Sequence, residues 1–214
     1  MSPTARPAQA APAAAPDEQV RHSRDVILDV AERLMTGQGY DKTSIAAIRR
    51  ESGLPVGSIY HHFTGKAGIL AAVMERWSAR FFADIPGYTA GTGDPDARFR
   101  AYWSGAIAAI IKEHAAFLLD ADLMRLSHSD PELRKVMAQL RTTTQRELEP
   151  TFLAFARDHG AADAAGLARR LAVLTEAATR GLILTCGPDL DALRRSMDDL
   201  FQAVRASVIA AARD

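Results

Sequence analysis

From Ser23 onward, apolar residues recur three and four positions apart almost without interruption, the spacing of helix faces and not of strands. Ile27, Val30 and Leu34 line one side of a first helix, with Ser23 as its expected cap and Gly37 and Gly39 ending it. Thr43 or Ser44 caps a short second helix that carries Ile45 and Ile48, and Gly53-Leu54-Pro55 breaks it. A third helix runs from about Val56 to Phe63, and a fourth starts near Gly65-Lys66 and carries Leu70, Val73 and Trp77. The stretch from Ile85 to Asp94 is rich in Gly, Pro and Thr and reads as a loop. Four or five helices follow. Asp94-Pro95 and Asp130-Pro131-Glu132 are helix starts, with Asp at the cap, Pro in the first turn and acids at the positive end of the dipole. Gly187-Pro188-Asp189 closes one helix and opens the last. No segment alternates with period two for long enough to be a strand, so the fold class expected is all-α.

The stretch from Thr43 to Lys66 carries the chemistry. Two short helices joined by a tight glycine-containing turn make a helix-turn-helix, whose second helix can enter a DNA major groove. Ile45, Ile48, Ile59 and Phe63 are spaced to pack both helices onto the first. The outer face then holds Ser58, Tyr60, His61 and His62, and the small Gly57 and Ser58 permit close approach to bases or phosphates.

The run Gly53-x-x-x-Gly57-Ser58-Ile59-Tyr60-His61-His62-Phe63-x-x-Lys66, preceded by Thr43-Ser44-Ile45-x-x-Ile48, resembles the signature of the tetracycline-repressor (TetR) family. The resemblance implies a DNA-binding domain over 21–67 and an effector-binding and dimerisation domain over 68–214; residues 1–20, with proline every four or five positions, read from their composition as a disordered Ala/Pro tail. It implies a ligand-responsive transcriptional regulator, by default a repressor. Such a protein binds a palindromic operator in double-stranded DNA as a homodimer and is released by a small-molecule effector. Residue by residue, Thr43 and Ser44 cap the second helix and meet a phosphate. Val56, Gly57 and Ser58 face bases. Tyr60 reaches phosphate or a base edge, His61 varies in role, and His62 and Lys66 meet phosphate. Two positions depart from the family pattern. Arg49 stands where alanine is usual, and Ala46 where a basic residue is frequent. Arg49 either snorkels outward over apolar surface or supplies the charge absent at Ala46, and the first reading needs no new chemistry.

The resemblance assigns dimerisation to the last two helices. Leu190, Leu193, Met197, Leu200, Val204, Ser207 and Ala211 form a heptad-like stripe, with Phe201 and Val208 beside it. Leu167, Leu171, Leu174, Ala178, Gly181 and Thr185 form a second. An intramolecular core stripe has the same periodicity. For the effector pocket the candidates are Trp103, Phe117, Met124, Thr144 and Phe152, because a threonine interrupts an apolar lining and Pro150 is placed to kink or break the seventh helix. Thr175 and Thr179 are further polar candidates, while Glu176 and Arg180, four apart, read as an ordinary ion pair on one helix face.

Composition narrows the alternatives. The formal net charge is zero, so any DNA contact depends on placed residues; between Arg21 and Lys66 seven basic residues face five acidic ones, a mild local excess. A single cysteine, Cys186, cannot form an internal disulfide, which suits a cytoplasmic location, and no apolar run reaches membrane-span length. Prolines interrupt the N-terminal tail, which has no apolar core of a signal peptide, and only Arg6 brings charge to it. No enzyme is expected: the six histidines are scattered, and Cys186 has no base near it in sequence. No metal is expected at His61-His62, because adjacent helical positions diverge by about 100° and no Cys, Asp or Glu completes a site. No cofactor is expected, and a helical adaptor that reads no DNA is disfavoured by the Gly53–Lys66 run.

Overall fold

The structure, a computed structural model, describes residues 16–88 and 93–213, with side chains from residue 20 onward; all its regular elements there are helices. They are α1 (Pro16–Gln38), α2 (Ile45–Ser52), α3 (Val56–His62), α4 (Lys66–Ala83), α5 (Pro95–Lys112), α6 (His114–Ser127), α7 (Pro131–Asp158), α8 (Ala164–Cys186) and α9 (Leu190–Ala211). The all-α expectation and the helix order agree with this. The expected Ala/Pro tail falls mostly on residues 1–15, outside the described residues. Its boundary moves, because α1 starts at Pro16, where a first-turn proline removes only an N–H that would have had no helical partner. Ser23 is therefore no cap. It lies inside α1 and donates its hydroxyl to the Val20 carbonyl at 2.8 Å.

The other punctuation follows the residue chemistry. Gly39 leaves α1 at φ +87° and donates to the Met35 carbonyl, and Asp94 and Asp130 cap α5 and α7 through carboxylates that accept first-turn N–H groups. Pro150 does not break α7, which runs through it continuously. Its ring is on the exposed side of the helix, so the carbonyl it leaves unpaired, that of exposed Arg146, faces water.

Two aromatic clusters organise the interior. Phe99 on α5 is fully buried; it stacks on Phe155 of α7 at 4.0 Å between centroids and on Phe201 of α9 at 5.7 Å, with Trp103 5.8 Å away. The Trp103 indole donates to the Met197 carbonyl at 2.9 Å and pins α5 to α9. Nearer the N-terminal unit, Trp77 and Phe81 of α4 meet Phe117 of α6 edge-on at 4.9 and 5.2 Å. Leu193, Met197 and Val204, expected at a subunit interface, are buried in the chain's own core with Phe201 and Val208. The periodicity of the stripe suits either purpose; what decides is that α9 packs against both α5 and α8.

Polar contacts tie α1 to α4. Arg76 reaches Asp29 at 2.7 Å and Glu32 at 2.6 Å, and Arg80 also bonds Glu32. Burial alone would raise the Glu32 carboxyl, but the Arg80 and Arg76 guanidinia outweigh it and hold it below the ordinary value of 4.5. A carboxyl lowered in the folded state contributes stability above its ordinary pKa and loses it as pH falls through the folded value. Glu32→Gln is thus expected to cost about 1–2 kcal/mol at neutral pH, between exposed and buried ion pairs. In urea melts the gap between variant and parent should shrink as pH falls below 4.5; a gap independent of pH would contradict the assignment.

Candidate nucleic-acid interface and regulatory cavity

The first three helices build one unit. Ser44 caps α2, accepting from the Ala47 N–H at 3.0 Å, and Gly53 ends it at φ +69°, a left-handed turn that favours glycine. Pro55 then precedes α3, seven residues long and too short to persist by propensity alone. Packing holds it: Ile48 and Ile59 are fully buried and Phe63 nearly so, all in the core that α1 and α4 share. The inward set leaves Val56, Gly57, Tyr60 and His61 on the exposed side, Val56 at 47% and Tyr60 at 58% of full exposure. A Cβ added at Gly57 would meet nothing within 4 Å, so the start of α3 is open to close approach.

The residues anticipated as DNA contacts divide into three groups. Ser44, Val56, Gly57, Tyr60 and His61 are exposed. Ser58, His62 and Lys66 are half-buried. His62 Nε2 lies 2.8 Å from the Ser23 hydroxyl, and burial, aided by His61 and Arg24, pushes its imidazole below the ordinary histidine range towards the neutral form. Lys66 sits over the Tyr40 ring at 4.0 Å and donates to the Asp41 carbonyl at 3.3 Å; burial lowers its ammonium and Asp41 opposes that. Thr43 requires correction. It is only 1% exposed, and its hydroxyl donates to the Gly39 carbonyl at 3.0 Å, so it fixes the turn between α1 and α2 and presents no hydroxyl to a phosphate. Arg49 is exposed, as both a snorkelling side chain and a DNA-facing charge require.

The anticipated effector residues also separate. Phe117 and Thr144 line a small inner cavity of about 70 Å³, walled by Phe81 and Phe82 of α4, Leu148 of α7 and Thr175, Glu176 and Arg180 of α8. Met124 lines an outer cleft of about 510 Å³ between α6, α7 and α8 that shares Glu176 and Arg180 with the inner one. Trp103 and Phe152 border neither; they fill the Phe99 cluster, where an aromatic stripe serves the core. Glu176 and Arg180 are not a surface pair. The Arg180 Nε donates to Asp120 at 2.7 Å, another of its nitrogens bonds Glu176, and Gln145 donates to Glu176 at 2.9 Å. Asp120 and Glu176 are both nearly fully buried. Asp120 was missed in the sequence, although a lone acid on the face shared by Ala116 and Leu123 signals a buried partner. No group of three or more His, Cys, Asp or Glu among the described residues is arranged to hold a metal.

A helical bundle carrying a short exposed helix behind a glycine turn defines a helix-turn-helix protein. Residues 27–73 match the model of bacterial regulatory proteins of the tetR family, so the chain carries a segment similar to that family's. It is 38% identical over 60 residues to the HTH-type transcriptional repressor ComR of Escherichia coli K12, and 51% identical over 43 residues to the HTH-type transcriptional regulator LmrA of Bacillus subtilis 168. These matches take in 28% and 20% of this chain, and the chain spans only 29% and 23% of the length of those relatives. The similarity to the repressor KstR2 of Mycobacterium tuberculosis is 25% identity over 113 residues, 53% of this chain and 56% of that one. Among solved structures, regulatory protein TetR from Rhodobacter sphaeroides superposes with a TM-score of 0.62 at 23% identity, over 84% of this chain and 97% of its own. A TetR-family regulator from Agrobacterium tumefaciens gives 0.62 at 23%, over 86% and 98%. At such identity the likeness establishes the fold.

Ile59→Ala is expected to cost about 2–5 kcal/mol, since a fully buried side chain leaves a cavity. Hydrogen exchange should then accelerate in α3 before α8; uniform acceleration would argue against local support of α3 by Ile59.

Proposed function

We propose that the protein is a transcriptional repressor that binds duplex DNA through α3 as a homodimer and is released by a small molecule held among α4, α6, α7 and α8. The observation that carries this reading is the exposed side of α3, with Val56, Gly57, Tyr60 and His61 turned outward while Ile59 and Phe63 face the core. Val56 offers a methyl surface for a thymine, Ser58 a hydroxyl for a base edge, and Tyr60, His62, Ser44 and Lys66 suit phosphates. Two such units related by a two-fold axis read half-sites about 34–36 Å apart, a palindrome. The named relatives ComR and KstR2 are described as repressors, which supports the sign of regulation. A DNA-binding regulator works in the cytoplasm, and among the described residues no helix is long and apolar enough to cross a membrane.

A second copy of the chain supplies the symmetry. With the α9 stripe turned inward, the outward side of α8 carries Val173, Leu174, Ala177, Gly181 and Leu184, all exposed, and small residues at its centre permit close helix approach. The route from ligand to DNA is α4. It is 18 residues long, about 27 Å at 1.5 Å per residue, with Lys66 at its first turn and Phe81 and Phe82 against the inner cavity at its last. An effector preferring a wider cavity shifts α4 and with it the spacing of the two α3 helices. Its leverage is limited to its differential affinity for the two arrangements.

Fluorescence anisotropy on the DNA upstream of the chain's own gene tests the reading; a folded protein that forms no sequence-specific complex at moderate salt refutes it. Lys66→Ala should weaken all complexes alike and reduce the slope of log affinity against log salt by about one, whereas Val56→Ala should change base preference. Leu174, 62% exposed, tolerates a polar group in the monomer. Leu174→Glu should therefore convert a dimer to a folded monomer in sedimentation; an unchanged dimer would move the interface elsewhere.

A further inference from the structure

We propose that the effector is an organic cation with a compact apolar, preferably aromatic, body, and that Glu176 is its counter-ion. This rests on the regulatory reading above and specifies the chemistry of its cavity. Asp120 and Glu176 are buried, and one guanidinium, that of Arg180 with its side chain 15% exposed, lies between them. The other cation near Glu176 is Arg141, 4.0 Å away and 60% exposed, so solvent screens most of its charge. The interior of this region therefore holds an excess of negative charge.

Arg180 is fully engaged: Nε and one terminal nitrogen face Asp120 at 2.7 and 3.3 Å, and the other faces Glu176. An anionic ligand would have to displace a buried carboxylate from it, leaving that charge unpaired at large cost. A cation faces no such cost. It meets Glu176 in a site that already lacks compensation, beside the rings of Phe81, Phe82 and Phe117, whose faces attract positive charge.

The second, independent observation is Thr175. Its side chain lines the same inner cavity, the residue is 6% exposed, and its hydroxyl has no hydrogen-bond partner. A buried hydroxyl left unpaired costs free energy that a ligand amine, donating to it, recovers. The present 70 Å³ is smaller than the 150 Å³ of a known benzene-binding cavity. A phenyl-sized body must therefore spread Phe81 and Phe82 from Thr144 and Leu148, which moves α4 relative to α7 and gives the ligand its preference between states.

Titration calorimetry on the full chain without DNA tests this with three probes of one skeleton: phenylpropylamine, phenylpropanol and phenylpropionate. The amine is expected to bind at least about tenfold more tightly than the carboxylate, the gain of one charge-assisted contact. Glu176→Gln should abolish the preference for the amine over the alcohol. Thr175→Val, which replaces an unpaired hydroxyl by a methyl, should weaken the amine several-fold without lowering the melting temperature, and so keeps the test independent of any folding defect in Glu176→Gln. Carboxylate binding equal to or tighter than amine binding overturns the proposal, as does equal loss of all three probes in both variants, or no heat from any probe at millimolar concentration. Amine binding that leaves DNA affinity unchanged supports the ligand class and refutes release. Specific DNA binding by a chain that ignores the amine refutes the ligand class alone.

Discussion

Seven residues make about two helical turns, too few to persist in water on hydrogen bonds alone. Everything proposed for α3 therefore depends on burial of Ile59 and Phe63 against the core built by α1, α2 and α4. This constraint allocates the remaining positions. With one side of so short a helix spent on anchoring, Val56, Gly57, Tyr60 and His61 are left outside. Gly53 and Thr43 then set the two turns that deliver α2 and α3 to that core, one by adopting positive φ and the other by returning its hydroxyl to the Gly39 carbonyl.

The same core makes α4 a shared element. Its first half packs under the N-terminal unit through Ile69, Leu70 and Val73, and its second half contributes Trp77 and Phe81 to the cluster with Phe117 of α6. The Glu32 pairs with Arg76 and Arg80 fasten α1 along it. A helix so fixed at both ends transmits displacement as a rigid rod, since packed interiors are poorly compressible. In the proposed mechanism, displacement at Phe81 and Phe82 is carried along this rod to Lys66.

Local signals in the sequence proved legible, and tertiary ones did not. Ser44 as cap, Gly53 as turn, Asp94-Pro95 and Asp130-Pro131 as helix starts are short-range chemistry, and each appears where its residue type demands. The inward set of α3 was readable because 3.6-residue periodicity identifies a buried face. Periodicity says nothing of what covers that face, which is why Leu193, Met197 and Val204 looked like an interface and are core. Thr43 and Ser23 failed for a related reason: both hydroxyls find partners supplied by the folded chain, Gly39 O for one and His62 alongside Val20 O for the other. Of the five residues expected to line a pocket, Phe117 and Thr144 border the smaller cavity and Met124 the larger cleft, whereas Trp103 and Phe152 belong to the Phe99 cluster; an aromatic stripe does not reveal which of its members border a void.

The Asp120–Arg180–Glu176 arrangement is the least economical part of the interior. Desolvating three charges costs several kcal/mol per ion, and apolar side chains of similar volume would pack α6 against α8 at least as stably. Stability alone thus does not account for it. Its position does suggest why charge is kept there: Glu176 and Arg180 form the wall common to the inner cavity and the outer cleft, and Gln145 of α7 braces it. A wall of apolar residues would close by packing and reopen only at the cost of a void. A wall of hydrogen bonds can exchange one partner for another of like charge, and Thr175 beside it already lacks a partner. In the proposed regulator, the polar cluster trades folding stability for a boundary that a suitably charged ligand can enter, and Phe117 against Trp77 connects that boundary to α4.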